Sequence, residues 1–336
     1  MKRKVLWLLL PAILIACSVA VLAASFLIAP LDPAPVRAGA APPAQSLALR
    51  PVAGSPASGF SVTRIAHASV LLDFGNARVL TDPWFSEKMH FHHGEPLALS
   101  MEQLPKLTAI VASHAHYDHF DIKTLERYPD KAVPFFVGPD MADAARAAGF
   151  TNVRELRPWE AASVGPLTIT AAPAAHKVPE ITYVIQANGS TVYFGGDSRL
   201  IPELRELPQR FPSIQLALLS INGLRVMGEQ VVMNAEEAAE LAGLLGAEVA
   251  VPMHYRFKGS WFTDSFILGY DGTPERFLEA AKKAAPGTRA LVLEPGEVLN
   301  LAPGAAAPDA HLPIQAASHA TPVGAATALK ADGAVR

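Results

Sequence analysis

The stretch Ser113-His114-Ala115-His116-Tyr117-Asp118-His119-Phe120-Asp121 places three histidines and an aspartate within six residues. It directly follows the apolar run Ala109–Ala112, which is typical of a buried β-strand. Imidazole and carboxylate groups crowded together in a core would leave polar atoms unsatisfied. These residues therefore cannot all be core residues, and they form either a functional site or a solvated polar loop. Further candidate ligands elsewhere in the chain disfavour the loop.

Those further candidates each follow the carboxyl end of a predicted strand. They are Asp82 after Ala77–Thr81, His176 after Leu167–Ala171, Asp197 after Thr191–Phe194 and His254 after Val249–Pro252. Functional residues of α/β sheets gather where strands end, so one sheet edge can collect all of these side chains. The sequence therefore predicts a site built from histidine and carboxylate.

Composition narrows the chemistry of that site. The 336 residues include one cysteine and eleven histidines, which excludes a disulfide framework and a cysteine-rich metal site. A net charge of −3 gives no general attraction to polyanions, so no nucleic-acid partner is expected. A serine elbow, a phosphate loop and a dinucleotide fingerprint are all missing from the sequence.

The remaining patterns predict a mixed α/β sandwich, because short apolar runs alternate with helical segments. The other predicted strands are Ser61–Ile65, Ser69–Asp73, Phe135–Val137, Tyr183–Gln186, Leu216–Leu219 and Ala290–Leu293. The predicted helices are Ile122–Arg127 after Asp121, Met141–Ala148 after Asp140, Ala235–Leu245 after Asn234, and Pro274–Ala285 after Thr273. Each of these four preceding residues is a type that caps helix N-termini.

The two ends of the chain differ from this body. Residues 5–29 form a 25-residue apolar run behind Met1-Lys2-Arg3-Lys4, which indicates export with membrane anchoring. Three outcomes stay open: a spanning helix, a lipoprotein signal ending at Cys17, or cleavage after Ala23. We expect a Pro/Ala-rich linker at 30–59, one folded domain at 60–301 and a disordered Ala/Pro-rich tail at 302–336. The body would then be periplasmic or otherwise outside the cytoplasm.

Several motifs carry a family resemblance. They are Ala66-His67-Ala68-Ser69-Val70-Leu71-Leu72, Leu80-Thr81-Asp82-Pro83, the His-x-His-x-Asp-His pattern at 114–119, Gly195-Gly196-Asp197-Ser198, Ile221-Asn222-Gly223 and Pro252-Met253-His254-Tyr255. With them the chain resembles the metallo-β-lactamase-fold hydrolases, and in particular the branch holding ascorbate-6-phosphate lactonase and N-acylphosphatidylethanolamine phospholipase D. The resemblance implies a four-layer αββα sandwich of two mixed β-sheets flanked by helices. Leu224 departs from the arginine that often follows Asn-Gly in that branch, which removes a cation from the pocket.

The resemblance also implies a ligand set. His114, His116 and His176 would bind one metal, Asp118, His119 and His254 a second, and Asp197 would bridge them. Nitrogen and carboxylate ligands suit two Zn²⁺ ions, with Mn²⁺ or Fe²⁺ as alternatives. Two cations lower the pKa of a bridging water from ~15.7 towards 7, which supplies a hydroxide nucleophile at neutral pH. We assign catalytic roles to Asp118, Asp197 and His254.

Other polar residues give weaker signals. Asp82 is interpreted as orienting a ligand histidine through its second ring nitrogen, with a strand-end turn as the alternative. His67 and Asn222 are candidates for the site edge or substrate pocket, although a lone histidine is as often a satisfied core group. A loop at 90–93 is expected to be solvated, with a place lining the substrate entrance as the alternative. Further candidates for the pocket wall are Arg199, Arg225, Lys258 and Trp261, whereas His311 and His319 in the tail are expected to be inert.

The leading hypothesis is an exported dinuclear hydrolase that cleaves an ester-type bond. The substrate would be a small or lipid-like molecule, with a phosphodiester ranked before a lactone. The alternative is a metal-dependent binding or sensor protein of the same fold without useful turnover. A nuclease ranks third, because of the acidic balance and the export signal. The sequence leaves the oligomeric state open.

Overall fold

A computed structural model describes residues 50–52 and 59–302 of the chain. The predicted leader, most of the linker, the tail, His311 and His319 lie outside these residues. Within the described part, no helix has the length and apolarity needed to cross a bilayer.

Eight strands form the first sheet. In chain order they are β1 Arg50–Val52, β2 Phe60–Ala66, β3 Ser69–Asp73, β4 Arg78–Thr81, β5 Ala109–Ala112, β6 Phe135–Val137, β7 Val153–Glu155 and β18 Glu297–Leu301. Their spatial order is β1-β18-β2-β3-β4-β5-β6-β7. Strands β18 to β4 pair antiparallel and β4 to β7 pair parallel, so the sheet is mixed.

The remaining strands form a second large sheet and a small one. They are β8 Ala161–Val164, β9 Leu167–Pro173, β10 Ile181–Ala187, β11 Ser190–Phe194, β12 Leu216–Ser220, β13 Arg225–Val226, β14 Glu229–Gln230, β15 Val249–Met253, β16 Leu268–Gly269 and β17 Arg289–Ala290. The second sheet runs β17-β15-β12-β11-β10-β9-β8 and is also mixed. The small sheet runs β14-β13-β16.

Six α-helices and two 3-10 helices connect the strands of the described part. The α-helices are α1 Ile122–Leu125, α2 Ala142–Ala147, α3 Leu207–Arg210, α4 Ala235–Leu245, α5 Trp261–Phe266 and α6 Pro274–Ala284, and the 3-10 helices are Met101–Gln103 and Pro202–Glu206. The predicted capping box of α4 forms, because Asn234 accepts from the Glu237 amide while Glu237 accepts from the Asn234 amide. Thr273 caps α6 as predicted.

Three of the four apolar clusters in the described part define the four layers. One cluster joins the facing surfaces of the two sheets, with Val111 on the first sheet and Tyr183 on the second. Because side chains alternate across a strand, Val184 points the other way and packs under α4 and α6. Another cluster packs α1 and α2 on the outer face of the first sheet. The predicted αββα sandwich of two mixed sheets is confirmed.

Some local predictions were wrong. The strand expected at Ala290–Leu293 ends at Ala290, and the carbonyl of Leu293 accepts instead from the buried Arg64 guanidinium. Asp140 does not cap α2, because its φ of 65° lies in the left-handed region rather than the extended region of a capping residue. Met141 occupies that position without a side-chain hydrogen bond.

Candidate metal centre

The predicted ligands meet at one edge of the sandwich because four strands end there. β5 leads into residues 113–121, β9 into His176, β11 through a glycine pair into Asp197, and β15 directly into His254. His254 and Gly196 adopt left-handed backbone, with φ of 60° and 51°. At both positions the chain turns sharply as it leaves a buried strand.

Three histidines form what we call the first group: His114, His116 and His176. The His116 Nδ1 atom lies 2.9 Å from His114 Nε2 and 3.2 Å from His176 Nε2. Nitrogens bound tetrahedrally at 2.0–2.1 Å from Zn²⁺ lie ~3.3 Å apart, so these separations suit a shared ion. Burial and then the neighbouring histidines lower the pKa of His114 and of His116 well below the usual range, so both rings are neutral as metal ligation requires.

The second group contains the other predicted ligands and one more histidine: His67, Asp118, His119 and His254. The Oδ2 atom of Asp118 lies 3.2 Å from His67 Nε2 and 3.7 Å from both His119 Nε2 and His254 Nε2. The two groups adjoin, because the rings of His114 and His119 have centroids 4.2 Å apart.

Asp197 contacts the second group. Its Oδ2 atom lies 3.0 Å from His254 Nε2 and 3.3 Å from His119 Nε2. Its proposed bridge to the first group stays a prediction, which the adjacent rings of the two groups permit.

Unsatisfied atoms show that the second group fits a cation. The Nε2 atoms of His67, His119 and His254 are buried and make no hydrogen bond, although each faces a carboxylate. Buried polar atoms in folded proteins nearly always have a partner. A divalent ion bound by imidazole nitrogen and carboxylate oxygen would satisfy all three at once.

Burial and neighbouring charges act in opposite directions on the carboxylates of Asp118 and Asp197. Burial alone would raise the pKa of Asp118 and of Asp197, but His119 and His254 beside them lower both pKa values well below the usual range. Burial likewise opposes protonation of His254, yet Asp197 raises its pKa to about 9. Without metal, the carboxylates of Asp118 and Asp197 are therefore compensated by protonated His119 and His254.

Asp82 lies behind the ligands at the end of β4. Its Oδ2 atom is 2.6 Å from His119 Nδ1 and accepts a 2.7 Å hydrogen bond from Ser113 Oγ, while Oδ1 accepts from the Ser113 amide. The Ser113 hydroxyl in turn lies 2.9 Å from His114 Nδ1. One buried carboxylate thus contacts a ring of the second group directly and a ring of the first through a hydroxyl.

Glu180 is a residue that the sequence analysis missed. Its fully buried carboxylate lies 3.2 Å from His114 Nδ1 and accepts a 2.6 Å hydrogen bond from the Asp197 amide. Burial raises its pKa to about 7. A Cβ at Gly196 would lie 2.5 Å from Glu180 Oε1, so the glycine makes room for this contact. Glu180 immediately precedes β10 and belongs to no recognisable motif. The one sequence signal near it is the predicted ligand His176, four residues earlier.

The weaker candidates separate in the structure. His67 is fully buried, with its ring 3.9 Å from that of His254. Asn222 is also buried, but its Oδ1 accepts from the Leu224 amide and it contacts no predicted ligand through a hydrogen bond in the described part. The loop at 90–93 is not uniformly solvated as expected, since His93 is buried against Trp84 at 3.9 Å between ring centroids.

The proposed pocket walls also differ from one another. Arg199, Lys258 and Trp261 are exposed, whereas Arg225 pairs with Asp271 at 3.3 Å. Their roles towards a substrate stay predictions.

Comparison with known proteins gives consistent matches. A family model described as "Beta-lactamase superfamily domain" matches residues 77–255, which include all seven predicted ligands. A metal-dependent hydrolase of Deinococcus radiodurans is 28% identical over 249 residues, covering 71% of this chain and 99% of that protein.

Solved structures agree on the fold. A metallo hydrolase from Ignicoccus hospitalis gives a TM-score of 0.56 at 24% identity, covering 71% of this chain and 97% of that one. A possible metal-dependent hydrolase from Veillonella parvula gives 0.59 at 19% identity, covering 73% and 100%. The narrower resemblance to the lactonase and phospholipase D branch stays a prediction.

Proposed function

The chain belongs to the beta-lactamase superfamily of metal-dependent hydrolases, and from that premise we propose that it hydrolyses an ester-type bond at a dinuclear centre. The observation that carries the proposal is the pair of adjoining groups, three histidines beside a cluster of histidine and aspartate. Each group offers at least three ligand atoms to one ion. Zn²⁺ is the ion that this donor set favours, with Mn²⁺ or Fe²⁺ as alternatives.

The residues of the chain have separable tasks in this proposal. Divalent ions bound there would supply Lewis acidity and an activated water for attack on the ester centre. Asp82 fixes the ring of His119 by accepting from its Nδ1, which leaves Nε2 directed into the site. Asp118 and Asp197 supply negative charge that neutralises a cation, and Asp118 stands next to the buried, neutral His67.

A phosphodiester is the substrate class that we rank before a lactone. The ammonium of Lys88 lies 3.6 Å from the ring centroid of Tyr117, the residue between two predicted ligands. Burial lowers the pKa of this lysine, and attraction to Asp121 and Asp118 opposes that shift, so a positive charge stands beside the site. A cation there favours a substrate whose reacting group is anionic, and a phosphodiester is charged where a lactone is neutral.

Export is a further part of the proposal. The apolar run at 5–29 behind three basic residues supports anchoring outside the cytoplasm, through a retained helix or a lipidated Cys17. Mass measurement of the mature amino terminus tests it: an intact or diacylated terminus at the membrane supports anchoring, whereas a cytosolic, unmodified chain contradicts it.

The assay that tests the hydrolytic proposal compares three substrate classes. Full-length protein loaded with Zn²⁺ is tested on bis(4-nitrophenyl) phosphate, an acyl lactone and a β-lactam, each with and without EDTA. We expect phosphodiester hydrolysis that EDTA abolishes and added Zn²⁺ restores. His116→Ala and Asp118→Ala should each remove it, because each variant deletes a ligand from one group.

Controls keep the outcomes distinct. Asp143→Ala removes a fully exposed carboxylate on α2 and should leave hydrolysis unchanged. Hydrolysis of the lactone alone would reverse the substrate ranking, and full activity in both ligand variants would show that the site is wrong. Tight capture of substrate without turnover across the panel would instead favour the binding-protein alternative.

A further inference from the structure

Large apolar side chains are exposed in one region of the domain. In the described part the exposed large hydrophobic residues are Met89, Met227, Trp261, Phe262 and Phe266. Trp261 is 78% exposed and Met227 is 73% exposed, so neither contributes to the core. All five come from three short segments, at 86–94, 225–230 and 260–268.

Hydrogen bonds hold these three segments together. The Met227 amide donates to the carbonyl of Ile267, directly after α5, at 2.8 Å. The backbones of His92 and Lys258 form a two-way bridge at 3.0 Å in each direction, which fixes the Met89 loop to the segment that leads into α5. On α5 itself the Phe266 ring lies 5.9 Å from Trp261 and 5.2 Å from Phe262. These contacts bring the three segments together, and we call their five exposed side chains the aromatic rim.

The aromatic rim connects to the candidate metal centre through packed rings. Phe257 is buried between them, with its ring centroid 5.9 Å from His67 and 6.5 Å from His254. On its other side Phe257 contacts Phe91 at 5.8 Å and Tyr270 at 6.1 Å. The rim therefore borders the ligand-bearing edge of the sandwich rather than a remote face.

We propose that the aromatic rim docks on the surface of a phospholipid bilayer and holds the metal centre towards it. Tryptophan and phenylalanine are the side chains that partition into the membrane interface, and exposed apolar patches of this kind mark interaction sites. Lys88 lies in the first of these segments and Lys258 lies just before the third, and their ammonium groups complement lipid phosphates. The docking does not depend on turnover, so it is tested separately from the hydrolytic function.

The sequence outside the described residues favours a bilayer as the occupant. The apolar run at 5–29 would place the domain at a membrane, and residues 30–49 join it to β1. A fully extended chain of this length spans up to ~70 Å, so the tether would confine the domain without choosing its orientation. The rim would set the orientation, because it is where the described domain exposes its large apolar side chains.

Fluorescence of Trp261 tests the docking directly. Full-length wild type and Trp261→Phe are reconstituted in phosphatidylcholine–phosphatidylglycerol vesicles, and the difference between their emissions isolates Trp261. We expect brominated lipid to quench this component by at least half and acrylamide to quench it weakly. Trp159→Phe is the matched control, since Trp159 stacks under Arg210 away from the rim and its component should ignore brominated lipid.

Two other results would overturn the proposal. A Trp261 component open to acrylamide and insensitive to brominated lipid would show that the rim faces water. Shielding from both quenchers would show that protein covers it, either a second copy or another segment of this chain. Phe266→Asp, at a position 66% exposed, should weaken lipid quenching of Trp261 several-fold without unfolding the domain.

Discussion

The first group and the second group adjoin each other, but their histidines differ in protonation. Burial keeps His114 and His116 of the first group neutral, so neither ring has to lose a proton before an ion binds. In the second group Asp118, with the adjoining Asp197, stays ionised beside protonated His119 and His254. One edge of the sandwich, where strands of both sheets end, therefore holds two histidines that can accept metal without losing a proton beside a group where metal must displace protons.

Deleting one ligand from the first group should have the largest effect. His116→Ala removes the nitrogen that faces both His114 and His176, so the bound metal should fall from two ions to one per chain. Hydrolysis should fall by more than the roughly 10–100-fold that loss of an outer partner costs. Elemental analysis and the phosphodiester assay measure both quantities. Two ions retained in this variant would contradict the division into two groups.

The pH dependence of metal affinity should separate the groups next. With His116→Ala, only the second group binds, and at pH 7 a proton must leave His254, whose pKa is raised to about 9. Protonation competes with metal, so Zn²⁺ affinity should fall as pH falls below 9, about tenfold per pH unit for each proton released. With His254→Ala, the first group binds and the affinity should be nearly flat from pH 7 to 9. Competition with a chelator at several pH values measures both slopes, and equal slopes would contradict the comparison.

Asp82→Asn should weaken the second group more than the first. The substitution replaces the carboxylate that accepts from His119 Nδ1 at 2.6 Å, and such partners are worth roughly 10–100-fold in metal affinity. The first group feels Asp82 only through the Ser113 hydroxyl. Titration of each group separately, in the His116→Ala and His254→Ala backgrounds, measures the two losses. Equal losses would show that Asp82 acts on the fold and not on His119.

Glu180→Gln should produce the smallest change and should act on the first group. Glutamine keeps an oxygen for the Asp197 amide but removes the negative charge near His114 Nδ1. We expect a loss of Zn²⁺ affinity below about tenfold in the first group, measured by the same titrations. Glu279→Gln, an exposed glutamate on α6, is the matched control. A larger loss in the second group would place Glu180 with Asp197 instead.

Much of the fold followed from apolar periodicity, and the limits of that prediction have physical causes. Strands such as Ala109–Ala112 and Phe135–Val137 are buried on both faces, so a continuous apolar run predicts both of their ends. Short edge strands such as Val153–Glu155 are partly exposed and carry no such run. The six residues of α5 were missed because Trp261 and Phe266 are exposed, which gives no amphipathic pattern.

The candidate site shows the same division. Ligands clustered within six residues or placed at strand ends could be found by spacing, because the chemistry restricts their residue types. Glu180 could not, since its contact with His114 arises from pairing between segments 66 residues apart that nothing local encodes. Likewise the burial of His93 depends on Trp84 folding over it, although the surrounding sequence is polar.

The carboxylate of Asp82 has a thermodynamic consequence for metal loading. It holds His119 directly and His114 through Ser113, so ordering either ring removes part of the freedom of the other. An ion bound in one group therefore lowers the entropy lost when the next ion binds, which is positive cooperativity without any large movement. Zn²⁺ should therefore bind more tightly to either group when the other group already holds an ion than when the other group is empty. Ser113→Ala should remove this difference. The enzyme would then exist mainly as empty or fully loaded molecules, with few half-loaded ones.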